Sequence, residues 1–393
     1  MGRIQKMSKT YLVTLKPIDK FFFGGDMTFA IPEGNKERKE ANRRFSSYII
    51  RSMPFPQQTS LLGMLRFLLL RNDKDCFNGD VITDKSKAKG LIGSQSFMVS
   101  GSRNNYGGIE ELTSCFIRDC RNGRDFAFAP FDWDFDDLKT GDVGYINGQK
   151  VLLPRLSVPD QVKSDYGEDE YKAKKGYNGY LLYRNGDRIE KIKVSDVFEE
   201  DRRIGIMKNP DGKTEDSALF KQISYRFRNF TDEDGRRTNT ADYCFAFYVK
   251  VKDYCKLAEY DGQVVFVGAD SSQFVINIID EPNDNRPLQI VRDYRVVLQS
   301  PSFISHEMIE TSYFFITQTI PFRFMTTTVD NTKDYTLRAG FNRSRKYELY
   351  APGSVFYFEN SEKAETFKEN LEKREDFRQI GYNYYLNPKK SEI

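Results

Sequence analysis

The chain has 393 residues, with 39% hydrophobic, 30% charged and 14% aromatic side chains, too apolar for a disordered chain and long enough for two or three domains of roughly 150 residues. Sixty basic against 57 acidic residues leave +3, which excludes a generic polycation; any nucleic-acid site must come from local clustering of charge. A single histidine excludes chemistry built on several imidazoles.

The N-terminus lacks an apolar targeting core, and the longest apolar run, Leu61 to Leu70, is half a membrane span. A soluble, cytoplasmic protein is therefore expected. In chain order, Tyr11 to Leu15 reads as a strand. Thr59 or Ser60 is placed to cap a buried helix from Leu61 to about Arg71. Eight Asn-Gly or Asp-Gly pairs mark turns, since both suit type I′ hairpins. They predict hairpins over 145–153 around Asn147-Gly148 and over 180–192 around Asn185-Gly186. A third pairs Phe245–Val251 with Val264–Val267 around Asp261-Gly262. Arg292 to Leu298 and Val355 to Phe358 read as further strands. Asn360 or Ser361 caps a last helix striped by Ala364, Phe367 and Leu371 and ended by Gly381. Many strands with few helices make an α+β protein. The charged stretches 30–44, 166–177 and 230–240 read as long functional loops.

Cys76, Cys115, Cys120, Cys244 and Cys255 contain no C-x-x-C pair, so they read as buried thiols in a reducing compartment, with no metal site and no cofactor. Phe23-Gly24-Gly25-Asp26 echoes the turn of palm polymerases but lacks a second local carboxylate for two-metal chemistry, and reads as a glycine turn near a ligand or a neighbouring chain. The alternating acids of Asp132 to Asp137 lack the glycine and distal glutamate of a calcium loop and read as a solvated or docking patch. Ser94 lacks the second glycine of a nucleophile elbow. His306 has no identifiable acid–base partner.

Basic and aromatic residues alternate in three places. The run 338–346 holds Arg338, Arg343, Arg345 and Lys346 with no acid; Gly340 permits close backbone approach, Phe341 offers a stacking face, and Asn342 lies between. Arg43 and Arg44 precede Phe45, Tyr48 and Arg51. Arg226 and Arg228 alternate with Phe227 and Phe230, so a strand here turns arginines one way and phenylalanines the other. Each cluster also reads as solvated charge on a packed edge.

Several segments then form an ordered series: Tyr11 to Asp19 followed by Phe21-Phe22-Phe23-Gly24-Gly25; Pro54-Phe55-Pro56-Gln57-Gln58-Thr59-Ser60-Leu61-Leu62-Gly63; Arg202-Arg203-Ile204-Gly205-Ile206; Arg338-Ala339-Gly340-Phe341; and Ala351-Pro352-Gly353-Ser354. This order resembles the RAMP superfamily of CRISPR effector proteins, and within it subunit three of type III-B (Cmr) complexes. The resemblance runs from Tyr11 to about Asn387. The C-terminal glycine element is thin here, and Gln57-Gln58-Thr59-Ser60 replaces the commoner Pro-Ser-Thr-like string.

The resemblance implies two ferredoxin-like (RRM-like) βαββαβ domains with long insertions and hairpins, divided here as 1–200 and 201–393. It implies a non-catalytic subunit that grips the 5′ handle of CRISPR RNA through cationic loops and base pockets. Its partners are then the large polymerase-like signature subunit and the backbone RAMP subunits. Thr59, Ser60, Arg66, Arg202 and Arg203 join the RNA-binding candidates from the resembling segments. The alternative is a RAMP endoribonuclease that matures CRISPR RNA, using His306.

Overall fold

The computed structural model describes residues 8–25, 27–32, 45–78, 81–131, 142–146, 149–153, 179–186, 188–208, 211–212, 214–228, 241–269, 272–281, 295–329 and 342–385. The chain opens with β1 (Ser8–Pro17), β2 (Met27–Pro32) and β3 (Phe45–Arg51), then α1 (Gln58–Arg71), β4 (Phe77–Asn78), β5 (Val81–Ile82) and α2 (Lys85–Ile92). β6 (Ile109–Leu112), β7 (Phe116–Asp119), β8 (Arg124–Phe128), β9 (Asp142–Ile146), β10 (Gln149–Leu153), β11 (Tyr180–Asn185) and β12 (Arg188–Lys193) follow. The one-turn α3 (Val194–Val197) leads into the long hairpin of β13 (Phe198–Lys208) and β14 (Thr214–Phe227), then β15 (Tyr243–Lys252), β16 (Val264–Phe266) and β17 (Gln273–Ile279). The C-terminal part holds β18 (Arg295–Val297), α4 (His306–Glu310), β19 (Phe314–Ile316), β20 (Thr319–Phe322), β21 (Met325–Thr326), β22 (Asn342–Arg343), β23 (Tyr347–Tyr350), β24 (Val355–Tyr357), α5 (Ser361–Lys373) and α6 (Glu375–Arg378).

The protein is a strand-rich α+β fold. Its largest sheet runs in the order β16-β17-β1-β15-β7-β8-β11-β12-β10-β9, with β6 pairing the far half of β15. β1 is central because Tyr11–Leu15 is buried throughout, and its antiparallel neighbours come from residues 243–252 and 273–279. Strands from before and after residue 200 therefore alternate within one sheet. A second sheet, β13-β14-β3-β2, joins it through the bridge of Phe21 with Tyr225.

The core between these layers is aromatic. Phe21 lies 4.9 Å from Phe23 and 5.2 Å from Phe245, and Phe227 lies 5.0 Å from Phe245, ring centre to ring centre. α1 enters the same core: Leu61, Leu62, Leu65, Leu68 and Leu69 are all buried, covering most of the circumference as their spacing predicts. α5 carries the expected stripe of Ala364, Phe367 and Leu371 onto Val296 and Phe356. Its cap is also as expected, since the Asn360 side chain accepts from the Lys363 N–H at 2.9 Å.

Some expectations fail for physical reasons. β15 does not form a hairpin with β16, because β1 on one side and β6 and β7 on the other occupy both its edges; β16 pairs β17 instead. α1 begins a turn earlier than expected, at Gln58, and neither Thr59 nor Ser60 caps it; the cap position is Gln57, whose backbone is extended and whose side chain makes no cap bond. α5 stops at Lys373, and Gly381 (φ +94°) ends α6 and its following turn. Cys120 and Cys244 are not free thiols but a disulfide: the Cys120 N–H reaches the Asp242 carbonyl at 2.8 Å across β7 and β15, bringing the two Cα atoms to 6.6 Å despite 124 residues of separation. Cys76, Cys115 and Cys255 are free and buried. Among the described residues no helix is long and apolar enough to cross a membrane.

Candidate nucleic-acid interface

Segments far apart in the chain enclose a crevice of about 520 Å³. Its first wall is Arg51 to Gln58, the link from β3 into α1. This link is pinned at its start: the Ser52 N–H donates to Ile223 at 2.8 Å, and the Ser52 hydroxyl accepts from the Phe23 N–H at 2.9 Å while donating to the Met53 carbonyl. Gly25 underlies it so closely that a Cβ there would stand 2.0 Å from the Arg51 carbonyl oxygen. The opposite wall comes from Gln318 to Phe322 and Leu349 to Pro352, the paired β20 and β23 with the turn beyond. Gly353 closes that turn at φ +90°, donating to Leu298 and accepting from Phe131, each at 2.8 Å. Phe128, Ala129, Phe131, Gly179, Tyr180 and Val194 supply a third side.

Most polar groups of the crevice are engaged, while Gln58 Oε1 and the Tyr382 hydroxyl are buried with no hydrogen-bond partner among the described residues. The buried Gln58 amide donates to the carbonyls of Thr113 and Ile380 at 2.7 and 2.8 Å, over a glycine, Gly381, where no larger residue fits. Pro54, Pro56, Pro301, Pro321 and Pro352 have no N–H to offer. The Cys115 thiol and the Tyr382 hydroxyl are both held protonated by burial, well above their ordinary ranges. Charge gathers only at the mouth. Arg51 stands 3.1 Å from Glu200, which Arg202 also contacts at 2.8 Å, so two guanidiniums share one carboxylate. The Tyr225 phenol is pushed up by burial, with Arg51 acting in the opposite sense. Lys191 and Lys193 sit 5.0 and 6.0 Å above the ring of Tyr180. A cleft with cations at the lip and aromatic walls suits a polyanion with splayed flat groups.

The first wall and the 351–352 end of the opposite wall belong to two of the segments whose order carries the sequence resemblance, and they meet across some 300 residues of chain. Residues 13–387 match the family model of the CRISPR-associated protein Cas_Cmr3. The chain belongs to that family. Among solved structures, a chain of the cryo-EM structure of the type III-B Cmr-beta complex bound to cognate target RNA and AMPPnP is similar at 15% identity, with 96% of both chains covered and a TM-score of 0.49. A chain of the same complex bound to cognate target RNA alone gives 15% identity, 96% of both chains and a TM-score of 0.47. A chain of the crystal structure of the Csm3–Csm4 subcomplex of the type III-A interference complex gives 10% identity, 89% and 93% coverage and a TM-score of 0.33. No curated protein sequence matches.

In this Cas_Cmr3 chain the expected RNA-binding residues fall into distinct places. Arg51 is at the crevice mouth, and Thr59 and Ser60 lie in the first turn of α1 just beyond the lining residues Gln57 and Gln58. Asn342 and Arg343 form β22, exposed, and Arg345 lies 4.7 Å over the Tyr347 ring; this basic run, with Lys346, leads directly into the β23 wall. Arg202, Arg203 and Arg226 are exposed on the long hairpin but carry acidic partners: Glu200 at 2.8 Å, Asp201 at 3.3 Å and Glu199 at 3.1 Å. Arg228 is half-buried where β14 ends, and its N–H donates to the Val197 carbonyl. Arg66 is buried inside α1, away from the other candidates, donates to the Ile92 carbonyl at 2.9 Å, and has its pKa lowered to about 10 by burial, against the opposing Tyr106. Arg43, Arg44, Arg338, Gly340 and Phe341 lie outside the described residues.

Tyr180, Lys191 and Lys193 were absent from the sequence candidates, yet the signal was present. Pairing about Asn185-Gly186 sets Tyr180 opposite Lys193, and Lys191 falls on the same face two residues away. Of the other motifs, Gly24-Gly25 packs under Arg51 and Met53, Ser94 accepts from the Val329 N–H at 2.9 Å, and His306 starts α4 at the surface, 3.2 Å from Glu310. Asp26 and Asp132 to Asp137 lie outside the described residues. Among the described residues no group of three or more His, Cys, Asp or Glu is placed to hold a metal ion.

Proposed function

We propose that this Cas_Cmr3 chain is a non-catalytic subunit of a type III-B CRISPR ribonucleoprotein, and that it grips the 5′ handle of CRISPR RNA while docking the large polymerase-like subunit and a backbone subunit. The observation that carries this reading is the crevice: two family-resembling segments converge on one apolar, aromatic cleft whose charges sit at its lip and along the basic run 342–346. Function here is positioning. Exposed cations hold phosphates, and aromatic walls receive bases that leave the stack.

The test is charge removal in the purified assembly. Replacing Arg343, Arg345 and Lys346 together by Gln weakens binding of handle RNA and lowers the slope of log affinity against log salt by about 2, at ~0.7 per lost phosphate contact on a single strand. An unchanged slope removes this run from the RNA path. Repeat RNA incubated with the chain stays intact, and stays intact equally with His306→Ala; cleavage that depends on His306 overturns the non-catalytic assignment.

A further inference from the structure

We propose that β16, the open edge of the largest sheet, takes up one extended segment of a neighbouring protein chain as an added strand, a segment with apolar side chains at alternate positions and Lys or Arg at its ends. This rests on the reading of the chain as a subunit of a larger assembly, and names how one contact of that assembly is made.

The main chain of β16 is the first observation. In an antiparallel pair, alternate residues turn their N–H and C=O toward the partner strand. The Ile276 N–H donates to the Gln263 carbonyl at 2.9 Å and the Val267 N–H to the Ser272 carbonyl at 3.1 Å, so residues 263, 265 and 267 face β17. Val264 and Phe266 therefore turn their main-chain groups out of the sheet, where no strand among the described residues pairs with them. Such groups are a template for a further strand.

The side chains are the second. Edge strands that face water are blunted by lysine, proline or a bulge. Gln263-Val264-Val265-Phe266-Val267 has no charge and no proline, and its register with β17 is unbroken. Val265 points into the core, while Val264 and Phe266 are 42% and 53% exposed on the outer face. Ile18 and Ile279, in the strands alongside, are 52% and 48% exposed on the same face. A single exposed apolar residue needs no explanation, but four on one face beside an open edge mark a contact surface.

Charge is the third. Exposed acids stand at both ends of the edge: Asp261 and Asp280 where β16 starts and β17 stops, and Asp19, next to Ile18, toward the finish. The cations nearby are taken, Lys16 by Asp242 at 2.8 Å and Lys256 by Glu259 at 3.5 Å. Asp19, Asp261 and Asp280 form no ion pair among the described residues. An acidic rim repels a phosphate chain and attracts a basic peptide. It also disfavours a second copy of this chain, whose own β16 brings acids to both ends in either direction.

The experiment replaces Phe266 of the full chain with p-benzoylphenylalanine, illuminates the purified assembly and sequences the crosslinked peptide by mass spectrometry. The expected peptide comes from a different subunit, is apolar at every second position and carries Lys or Arg at its ends. Hydrogen exchange adds a readout that a mere apolar contact does not move. The Val264 and Phe266 amides exchange fast in the chain alone and slowly in the assembly, while the Val265 amide is slow in both. Val264→Lys with Phe266→Lys leaves the melting temperature of the chain unchanged and weakens its retention in the assembly at least about thirtyfold, the scale of one interface hot spot. Val264→Thr with Phe266→Thr keeps strand propensity, gives a smaller loss and guards against misfolding of the lysine variant.

A crosslink to RNA, to a second copy of this chain or to another segment of the same chain overturns the proposal, as does an intact assembly with no crosslink. Val264 and Phe266 amides that still exchange fast in the assembly mean a contact without an added strand, and overturn it too. So does full retention of the folded lysine variant. A chain that enters no assembly fails the reading as a subunit itself.

Discussion

At the scale of single residues, the crevice depends on close backbone approaches that a side chain would block. Gly353 is the clearest case. Its φ of +90° is disfavoured for any L residue, and a Cβ would meet the Phe131 ring at 2.6 Å and the Ala129 carbonyl oxygen at 2.7 Å. Gly353→Ala is expected to lower stability by about 1–3 kcal/mol and to shift the 129–131 wall, so handle binding falls further than stability alone accounts for. Urea unfolding and RNA affinity measured on the same preparation check this, and a variant with wild-type values for both would show that the turn tolerates a side chain. The glycine was legible in sequence as a retained family position, but its partners were not. Nothing in the spacing of residues says that Phe131 and Gly353 meet. Arg66 shows the converse: its place inside the apolar helix already pointed to a buried anchor, only the resemblance made it an RNA candidate, and its bond to the Ile92 carbonyl is the partner that the sequence did not name.

At the scale of elements, local pattern was readable wherever local chemistry decides the outcome. The Asn185-Gly186 turn, the circumferential apolar run of α1 and the Asn360 cap all act within a few residues. The failed β15–β16 hairpin is the opposite case, because edge competition from β1, β6 and β7 is invisible locally. The join of α6 to the 98–104 loop is equally non-local. Asp376 is fully buried, accepts from the N–H groups of Ser100 and Gly101 at 3.0 and 2.8 Å, and takes a two-pronged ion pair from Arg374. Asp376→Ala leaves a guanidinium and two amides without their acceptor, which costs about 3 kcal/mol. Asp376→Asn keeps a carbonyl acceptor and loses less. The ranking is read from denaturant midpoints, and a loss under about 1 kcal/mol for the alanine variant would mean that the pair behaves as a surface one. Since α6 also carries Phe377, which packs on Phe97 and Phe322 beside the crevice, loosening this join loosens the crevice wall.

At the scale of the whole molecule, the abundance of tyrosine couples folding to alkaline pH. Burial pushes the Tyr260 hydroxyl up to about 12, with Glu259 adding to it, and the Tyr243 hydroxyl up to about 12, with Asp119 adding to it. Tyr106, Tyr382 and Tyr385 are raised further, each chiefly by burial. In the unfolded chain these phenols ionise near the ordinary value of about 10. The folded pKa therefore lies above the unfolded one, so the neutral, buried phenols contribute stability that is fully present below about pH 10. As pH rises from about 10 toward 12 the unfolded state loses its protons first, and that stability drains away. The melting temperature should accordingly hold from neutrality to about pH 9, then fall steeply, with tyrosinate absorbance rising in step with unfolding rather than before it. Buried positions in both centres of the aromatic core, around Phe245 and around Phe322, would open together, because Tyr243 packs on Phe227 in one and Tyr382 on Phe322 in the other. A melting temperature that stays flat to about pH 12, or tyrosinate that forms fully in the folded protein, would mean that water reaches these hydroxyls and that the two centres do not hold their phenols shut.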